Sequence, residues 1–128
     1  MGTKYLLDSN VIIGFLDNKI STAGMSFVSS VVDEESNISV ISKIEILRFS
    51  TTPAATKILE SFIRYCFVYQ LDDNIVDKTI EICRKHKIKL PDAIIAATCL
   101  TENFVLLTRN VNDFKNIEKL KIKNPFDL

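Results

Sequence analysis

Three acidic residues stand where a predicted strand or turn passes into a predicted helix, and a fourth lies in a loop a few residues after a predicted strand. They are Asp8 in LLDSNVII, Glu45 in SKIEIL, Asp92 in LPDAIIAA and Asp113 in NVNDF. Asp8, Glu45 and Asp113 follow apolar strands, and the carboxyl ends of parallel strands meet at one edge of a sheet. Carboxylates gathered in a partly apolar cleft repel one another and need a counter-charge. Mg²⁺ or Mn²⁺ would supply it and leave positions for water and a phosphate, which favours phosphodiester hydrolysis by metal-activated water.

Each of the four residues also has an ordinary structural explanation. Asp8 is a good helix cap, and Glu45 stands three residues after Ser42 in a capping-box pattern. Asp92 suits the first turn of a helix, and Asp113 suits an Asx-turn in a loop. Each explanation is good by itself, but together they explain the shared setting of the four residues less well than a common site does.

Short apolar runs predict the strands that must bring these residues together, because strands of this length are typical of buried parallel sheets. The predicted strands are Tyr5–Leu7, Ile38–Ile41, Phe67–Leu71, Phe104–Leu107 and a short last strand near Leu120–Ile122.

Helical spacing of apolar residues and capping residues predict the segments between the strands as helices. The predicted helices are Val11–Leu16, Ala23–Val32, one that starts at Ser42, one from Pro53 to about Tyr65, one that starts at Asp72 and Asp73, and Ala93–Leu100. The helix from Asp72 is predicted to bury Ile75, Val76, Ile80 and Cys83. Strands that alternate with helices predict an α/β fold with a parallel sheet covered on both faces, in a single domain over residues 1–128.

The composition is that of a globular protein, with 47% apolar and 25% charged residues and no apolar run of membrane-spanning length. We therefore expect a cytoplasmic protein. The three cysteines have no paired spacing and are predicted to be buried, reduced thiols. The net charge is zero, so nucleic-acid binding would have to come from local patches, although the basic clusters at 84–89 and 115–123 are more typical of solvated faces.

Taken in order, TKYLLDSNVII, the helix start at Glu45, LPDAIIAA and VLLTRNVNDF resemble a PIN-domain protein, and most of all the VapC-like toxins of type II toxin–antitoxin systems. The resemblance covers nearly the whole chain. It implies a three-layer α/β/α domain with a central parallel sheet of four or five strands. It also implies an endoribonuclease that depends on Mg²⁺ or Mn²⁺, acts on RNA, forms a homodimer and is inhibited by a small antitoxin.

The resemblance also assigns site residues. Asp8, Glu45 and Asp92 match the three core acidic ligands, and Asp113 is our choice for the fourth acidic position, with Asn110 as its competitor. We expect Asp8 and Asp92 to bind the metal directly. Glu45 is expected to complete the metal's coordination or to hold a metal-bound water, and Asp113 to act through water or on a second ion.

The polar residues Asn10, Thr108 and Asn110 are expected to orient these ligands or water. Arg109 either contacts a phosphate of the substrate or is a solvated loop side chain.

Two other functions are compatible with a chain of this size. A phosphoacceptor signalling domain would need two adjacent acidic residues after the first strand. Here the strand is followed by Asp8-Ser9-Asn10, which contains only one. A non-catalytic PIN module that binds RNA or protein would show no activity on addition of metal.

Overall fold

The centre of the computed structural model, which describes residues 2–128, is a parallel sheet of five short strands. The strands are β1 (Tyr5–Leu7), β2 (Asn37–Ser39), β3 (Phe67–Tyr69), β4 (Val105–Leu107) and β5 (Ile122–Lys123). Their order across the sheet is β3-β2-β1-β4-β5, and every neighbouring pair is parallel. β1 is therefore the middle strand, and the residue that follows it lies at the middle of the carboxyl edge of the sheet.

Helices cover both faces of this sheet. They are α1 (Ser9–Leu16), α2 (Thr22–Glu34), α3 (Val40–Leu47), α4 (Pro53–Tyr65), α5 (Asp73–Lys85), α6 (Leu90–Glu102) and α7 (Val111–Phe114), and a 3₁₀ turn, Pro125–Asp127, follows β5. Two hydrophobic clusters lie between the sheet and its two helical layers. In one cluster α1 to α4 pack with Leu7, and in the other α5 to α7 pack with Leu6. Successive side chains of a strand point to opposite faces, so this pair of leucines anchors both layers. The predicted three-layer α/β/α fold is confirmed.

α6 is the helix that packs on the centre of the sheet. Seven successive residues, 93–99, are buried, as the small and apolar side chains predict for a helix packed on the centre of the sheet. Its C-terminal residue Asn103 has the left-handed conformation that ends helices, with φ of 59°. The predicted helix is correct but shorter than the observed one, which starts at Leu90 and places Asp92 in its first turn.

The predicted start of α3 is wrong. Val40 and Ile41, predicted to end a strand, form the first turn of the helix, because the hydroxyl of Ser39 caps it by accepting the Ile41 N–H at 3.1 Å. Ser42, predicted to be the cap, is inside the helix and fully buried, and its hydroxyl has no hydrogen-bond partner among the described residues. Glu45 is therefore not part of a capping box.

The predicted buried face of α5 and the predicted burial of all three thiols also need correction. α5 buries Ile75, Thr79 and Ile82, whereas Ile80 and Cys83 are exposed. Thr79 turns inward because its hydroxyl donates to the Ile75 carbonyl at 2.7 Å, which satisfies it without solvent. Of the other two thiols, one is buried and the other half-buried.

No helix within residues 2–128 is both long enough and apolar enough to span a lipid bilayer.

Candidate active site

Asp8 lies at the middle of the carboxyl edge of the sheet and is 6% exposed. Asp8 directly follows β1. Its backbone N–H donates to the Leu107 carbonyl at 3.0 Å, so the pairing of β1 with β4 continues for one more hydrogen bond. It is also the cap of α1, because its Oδ1 accepts the Ser9 N–H at 2.9 Å. Capping uses one carboxylate oxygen and leaves the other, Oδ2, for different contacts.

Oδ2 of Asp8 is held by polar side chains from both sides of the strand end. Thr108, the buried residue after β4, donates its hydroxyl to this oxygen at 2.8 Å, and Asn10 donates its amide at 3.3 Å. Asn10 in turn accepts the Arg109 N–H at 2.9 Å, and the Thr108 hydroxyl accepts the Asn110 N–H at 3.0 Å. These contacts fix the orientation of the Asp8 carboxylate and join the ends of β1 and β4.

Glu45 reaches the same region from α3. Its Oε1 accepts the Ser9 hydroxyl at 2.8 Å, so Ser9 bridges the start of α1 and the acidic side chain of α3. From the sequence, Ser9 was only an alternative cap of the first helix, and its polar side chain directly after Asp8 was the one signal of a contact in the site. Glu45 itself is exposed, unlike Asp8.

Asp92 and Asp113 line one cleft, and the charge of Asp8 reaches Asp92. Asp92 is half-buried in the first turn of α6, where no side chain caps the helix. Asp113 is exposed and belongs to the one-turn helix α7, which corrects the predicted loop between 108 and 114. Asn110, its competitor for the fourth acidic position, is exposed and takes part in the network through its backbone N–H.

The four carboxylates repel one another. Burial raises the pKa of Asp8 above its ordinary value of 3.8, hydrogen bonds from Thr108 and Ser9 oppose this, and the Glu45 charge adds to it. Burial also raises the pKa of Asp92, followed by repulsion from Asp8, Asp113 and Glu45, while Lys89 has a smaller, opposing effect. These effects mean that Asp92 lies within electrostatic reach of the other three acidic groups, and Asp8 within reach of Glu45.

Cationic side chains do not neutralise this cluster. The ion pairs formed within residues 2–128 join Lys4 to Glu35 and Lys78 and Lys85 to Glu81, all outside it. A partly buried set of oxygen donors without a paired cation fits a hard divalent cation such as Mg²⁺ or Mn²⁺.

The side chains are not gathered into a closed cage. In the part of the chain that is described, no three His, Cys, Asp or Glu side chains converge closely enough to hold an ion by themselves. Mg²⁺ keeps several waters and is bound directly by one or two carboxylates. The donor set therefore fits an open site in which some acidic side chains act through water.

Arg109 is held by an aromatic ring. Its guanidinium lies over the ring of Phe126, 5.0 Å from the centroid, so the C-terminal turn of the chain supports the loop after β4. The side chain is exposed on the loop, and its contact with a phosphate of the substrate stays a prediction.

The sequence of residues 5–120 matches the sequence model of the PIN domain family. The fold is similar to that of solved toxin–antitoxin proteins. A toxin–antitoxin complex from Klebsiella pneumoniae contains a chain with 21% identity and a TM-score of 0.76, and the match covers 98% of this chain and 100% of that one. A DNA-bound VapBC from Salmonella typhimurium gives 23% identity, a TM-score of 0.80 and coverage of 97% and 99%. FitAcB from Neisseria gonorrhoeae gives 20% identity, a TM-score of 0.80 and the same coverage. A search of curated protein sequences finds no match.

Proposed function

The chain belongs to the PIN-domain family, and from that premise we propose that it is a metal-dependent endoribonuclease and the toxin of a VapC-like toxin–antitoxin pair. The observation that carries the proposal is the cluster of Asp8, Glu45, Asp92 and Asp113, whose mutual repulsion no ion pair relieves. A set of caps would not need to be in electrostatic contact, whereas ligands of a shared cation would.

The proposed roles follow from burial and hydrogen bonding. Asp8 and Asp92, the two less exposed carboxylates, bind the metal directly, and the more exposed Glu45 and Asp113 act through water. Thr108 and Asn10 hold Asp8 in position. Bound Mg²⁺ or Mn²⁺ would supply an activated water and shield the charge of the phosphate. The chain therefore needs no histidine at the site.

The partners are proposed on a different basis. Solved structures of similar fold include a VapBC and a toxin–antitoxin complex, which supports a small antitoxin as a partner of this chain. We also propose a homodimer, for which exposed apolar side chains on α4 and β3, namely Ile58, Tyr65 and Phe67, offer a surface. A toxin of this kind would act on RNA in the cytoplasm.

The test is cleavage of a panel of structured RNAs by the purified protein in Mn²⁺, in Mg²⁺ and in EDTA. Asp92→Asn is prepared in parallel, with Asp77→Asn as a matched control, because Asp77 is an exposed acidic residue of α5 outside the cluster. Wild type and Asp77→Asn are expected to cut RNA when metal is present, and Asp92→Asn is expected to lose this activity.

If Asp92→Asn cuts as wild type does, the activity belongs to a contaminant. If calorimetry then also detects no Mn²⁺ binding, the carboxylates have only structural roles in a non-catalytic module that binds RNA or protein. The toxin assignment has its own test, in which expression of the chain should arrest growth and co-expression of a small neighbouring open reading frame should relieve the arrest.

A further inference from the structure

Two clefts on the α5–α7 face adjoin each other, and the first of them also adjoins the acidic cluster. The first, of about 640 Å³, is lined by Asp92 and Asp113 together with the segment between α5 and α6. The second, of about 820 Å³, follows α5 and the C-terminal end of α6 to the residues that precede β1, β4 and β5. His86 and Ile117 line both clefts. The two clefts therefore form one groove that leads from the carboxyl edge of the sheet to its amino edge.

Lysines line this groove at both ends. Lys87 and Lys89 lie in the first cleft, and the second contains Lys4, Lys78, Lys85, Lys119 and Lys121. Lys4, Lys78 and Lys85 form ion pairs with glutamates, whereas the other four lysines form none with the described carboxylates. The second cleft also contains Glu81, which pairs with Lys78 and Lys85, and Glu102 and Glu118, so its charge is mixed. Each end of the groove nevertheless has two lysines without an ion pair within residues 2–128.

We propose that this groove, called here the α5–α7 groove, carries the single-stranded part of the RNA substrate away from the acidic cluster. The proposal rests on the proposed function, because it extends that site along the chain's surface. Phosphates next to the cleaved one are repelled by four carboxylates, so they need cations just outside the cluster. Lys87 and Lys89 stand there in the same cleft as Asp92, and Lys119 and Lys121 continue the path beyond His86.

The side chains that line the groove favour a single strand. Proteins that bind single strands combine a basic groove for the backbone with rings on which bases stack, and the imidazole of His86 is the aromatic ring that lines both clefts. RNA is favoured over an acidic protein segment because the groove ends at Asp92 and Asp113, where the proposed reaction requires a phosphodiester.

The experiment measures binding without cleavage. Fluorescence anisotropy of a labelled, unstructured oligouridylate is recorded in EDTA and in Ca²⁺ over a range of salt concentrations. The proteins are wild type, the two groove variants Lys87→Gln/Lys89→Gln and Lys119→Gln/Lys121→Gln, and the control Lys43→Gln/Lys57→Gln. Lys43 and Lys57 are exposed on α3 and α4, in the other helical layer, so the control makes the same change of net charge.

Each groove variant is expected to bind the oligomer more weakly. The plot of log binding constant against log salt concentration should become less steep by about 1.4, the value for two lost single-strand phosphate contacts. The control is expected to keep the wild-type slope. Thermal melting by circular dichroism checks that all variants are folded. The proposal is overturned if groove and control variants have the same slope, or if wild type binds the oligomer neither in EDTA nor in Ca²⁺.

Failure of the groove and failure of the proposed function are separable. If wild type cuts RNA but the groove variants keep its salt slope, the groove assignment alone is wrong. If the groove variants lower the slope but wild type cuts no RNA with metal, the groove binds RNA and the nuclease proposal is wrong.

Discussion

Asp8 combines a structural and a proposed chemical role on its two carboxylate oxygens. Oδ1 caps α1, and Oδ2 receives the Thr108 and Asn10 donors. A carboxylate that is 6% exposed keeps a charge more readily when several donors stabilise it, and hydrogen bonds lower its pKa against the effect of burial. The donors are therefore part of what makes the cluster able to bind a cation.

Thr108→Val tests this support. Valine has a similar shape but no hydroxyl, so Asp8 Oδ2 loses its shortest hydrogen bond, of 2.8 Å, in a buried position. We expect the free energy of unfolding, measured by urea denaturation, to fall by about 1.5–3 kcal/mol, as for bonds to charged groups. Metal-dependent cleavage should fall about 10–100-fold. Thr108→Ser keeps the hydroxyl and should resemble wild type, and equal activities of the two variants would exclude an orienting role for Thr108.

Asp92→Asn should make the metal-free protein more stable. Its folded-state pKa lies above the ordinary value of 3.8, so the charged form costs stability at neutral pH, and the cost disappears as the pH falls below 3.8. Asparagine removes this charge, so in EDTA at pH 7 its melting temperature should exceed that of wild type, and the difference should shrink on acidification.

Addition of Mn²⁺ should reverse the order of stability. At a concentration of 100 times Kd, a metal that binds the folded state adds about 2.7 kcal/mol to the free energy of unfolding of wild type. Asp92→Asn, which lacks a proposed ligand, should gain much less. Asp77→Asn should follow wild type in both conditions, and a gain as large in Asp92→Asn as in wild type would remove Asp92 from the metal ligands.

Residue types and spacing were sufficient to single out the four acidic residues, and the fold brings Asp92 within electrostatic reach of the other three. Asn10 and Thr108 were also predicted to orient ligands, and both bond to Asp8. The contact of Ser9 with Glu45 could not be predicted, because it depends on how α3 packs against α1. Nor does the sequence place Phe126 beside Arg109, since the two are far apart along the chain.

At the scale of elements, the start of α3 shows where local patterns mislead. Val40 and Ile41 are β-branched and continue an alternating run, which is typical of a strand. Ser39 and Ser42 are both plausible caps, and local sequence does not choose between them. Tertiary packing determines which serine caps the helix, because β2 ends at Ser39, where its pairing with β3 ends.

Two alanine variants distinguish the two serines. Ser39→Ala removes the cap of α3 and should lower the free energy of unfolding by about 1 kcal/mol. Ser42→Ala should be neutral or stabilising, because it removes a buried hydroxyl without a hydrogen-bond partner. Urea denaturation measures both. The reverse order would mean that the helix starts at Ser42, with Glu45 in a capping box.

At the scale of the whole molecule, alternating strands and helices predicted the parallel sheet and its two covered faces. The order β3-β2-β1-β4-β5 does not follow from that alternation, because many strand orders have the same sequence of elements. This order places β1 and β4 side by side, so Asp8 and Thr108, which are far apart in the sequence, form a hydrogen bond. The last element is the least predictable, since β5 has two residues and the turn after it is held by long-range contacts.

The C-terminal turn joins the site to the α1–α2 side of the molecule. Phe126 lies against Gly14 of α1, and the Pro125 carbonyl lies against Gly24 of α2, where a Cβ would meet this backbone oxygen at once. The Ser21 hydroxyl also donates to the Leu128 carbonyl at 2.8 Å. Because the Arg109 guanidinium stacks on the Phe126 ring, the C-terminal turn supports the loop that contains Thr108 and Arg109.

Gly24→Ala should displace this turn, because a backbone oxygen cannot move away without moving the tail. We expect a loss of about 1–3 kcal/mol in the free energy of unfolding, as for overpacking, and faster release of the last residues by carboxypeptidase in the native state. Gly2→Ala is the matched control, since a Cβ there meets no atom within 4 Å. If Gly24→Ala is less stable but its tail stays resistant to carboxypeptidase, α2 has moved instead of the tail. The support of Arg109 by the C-terminal turn would then be independent of this contact.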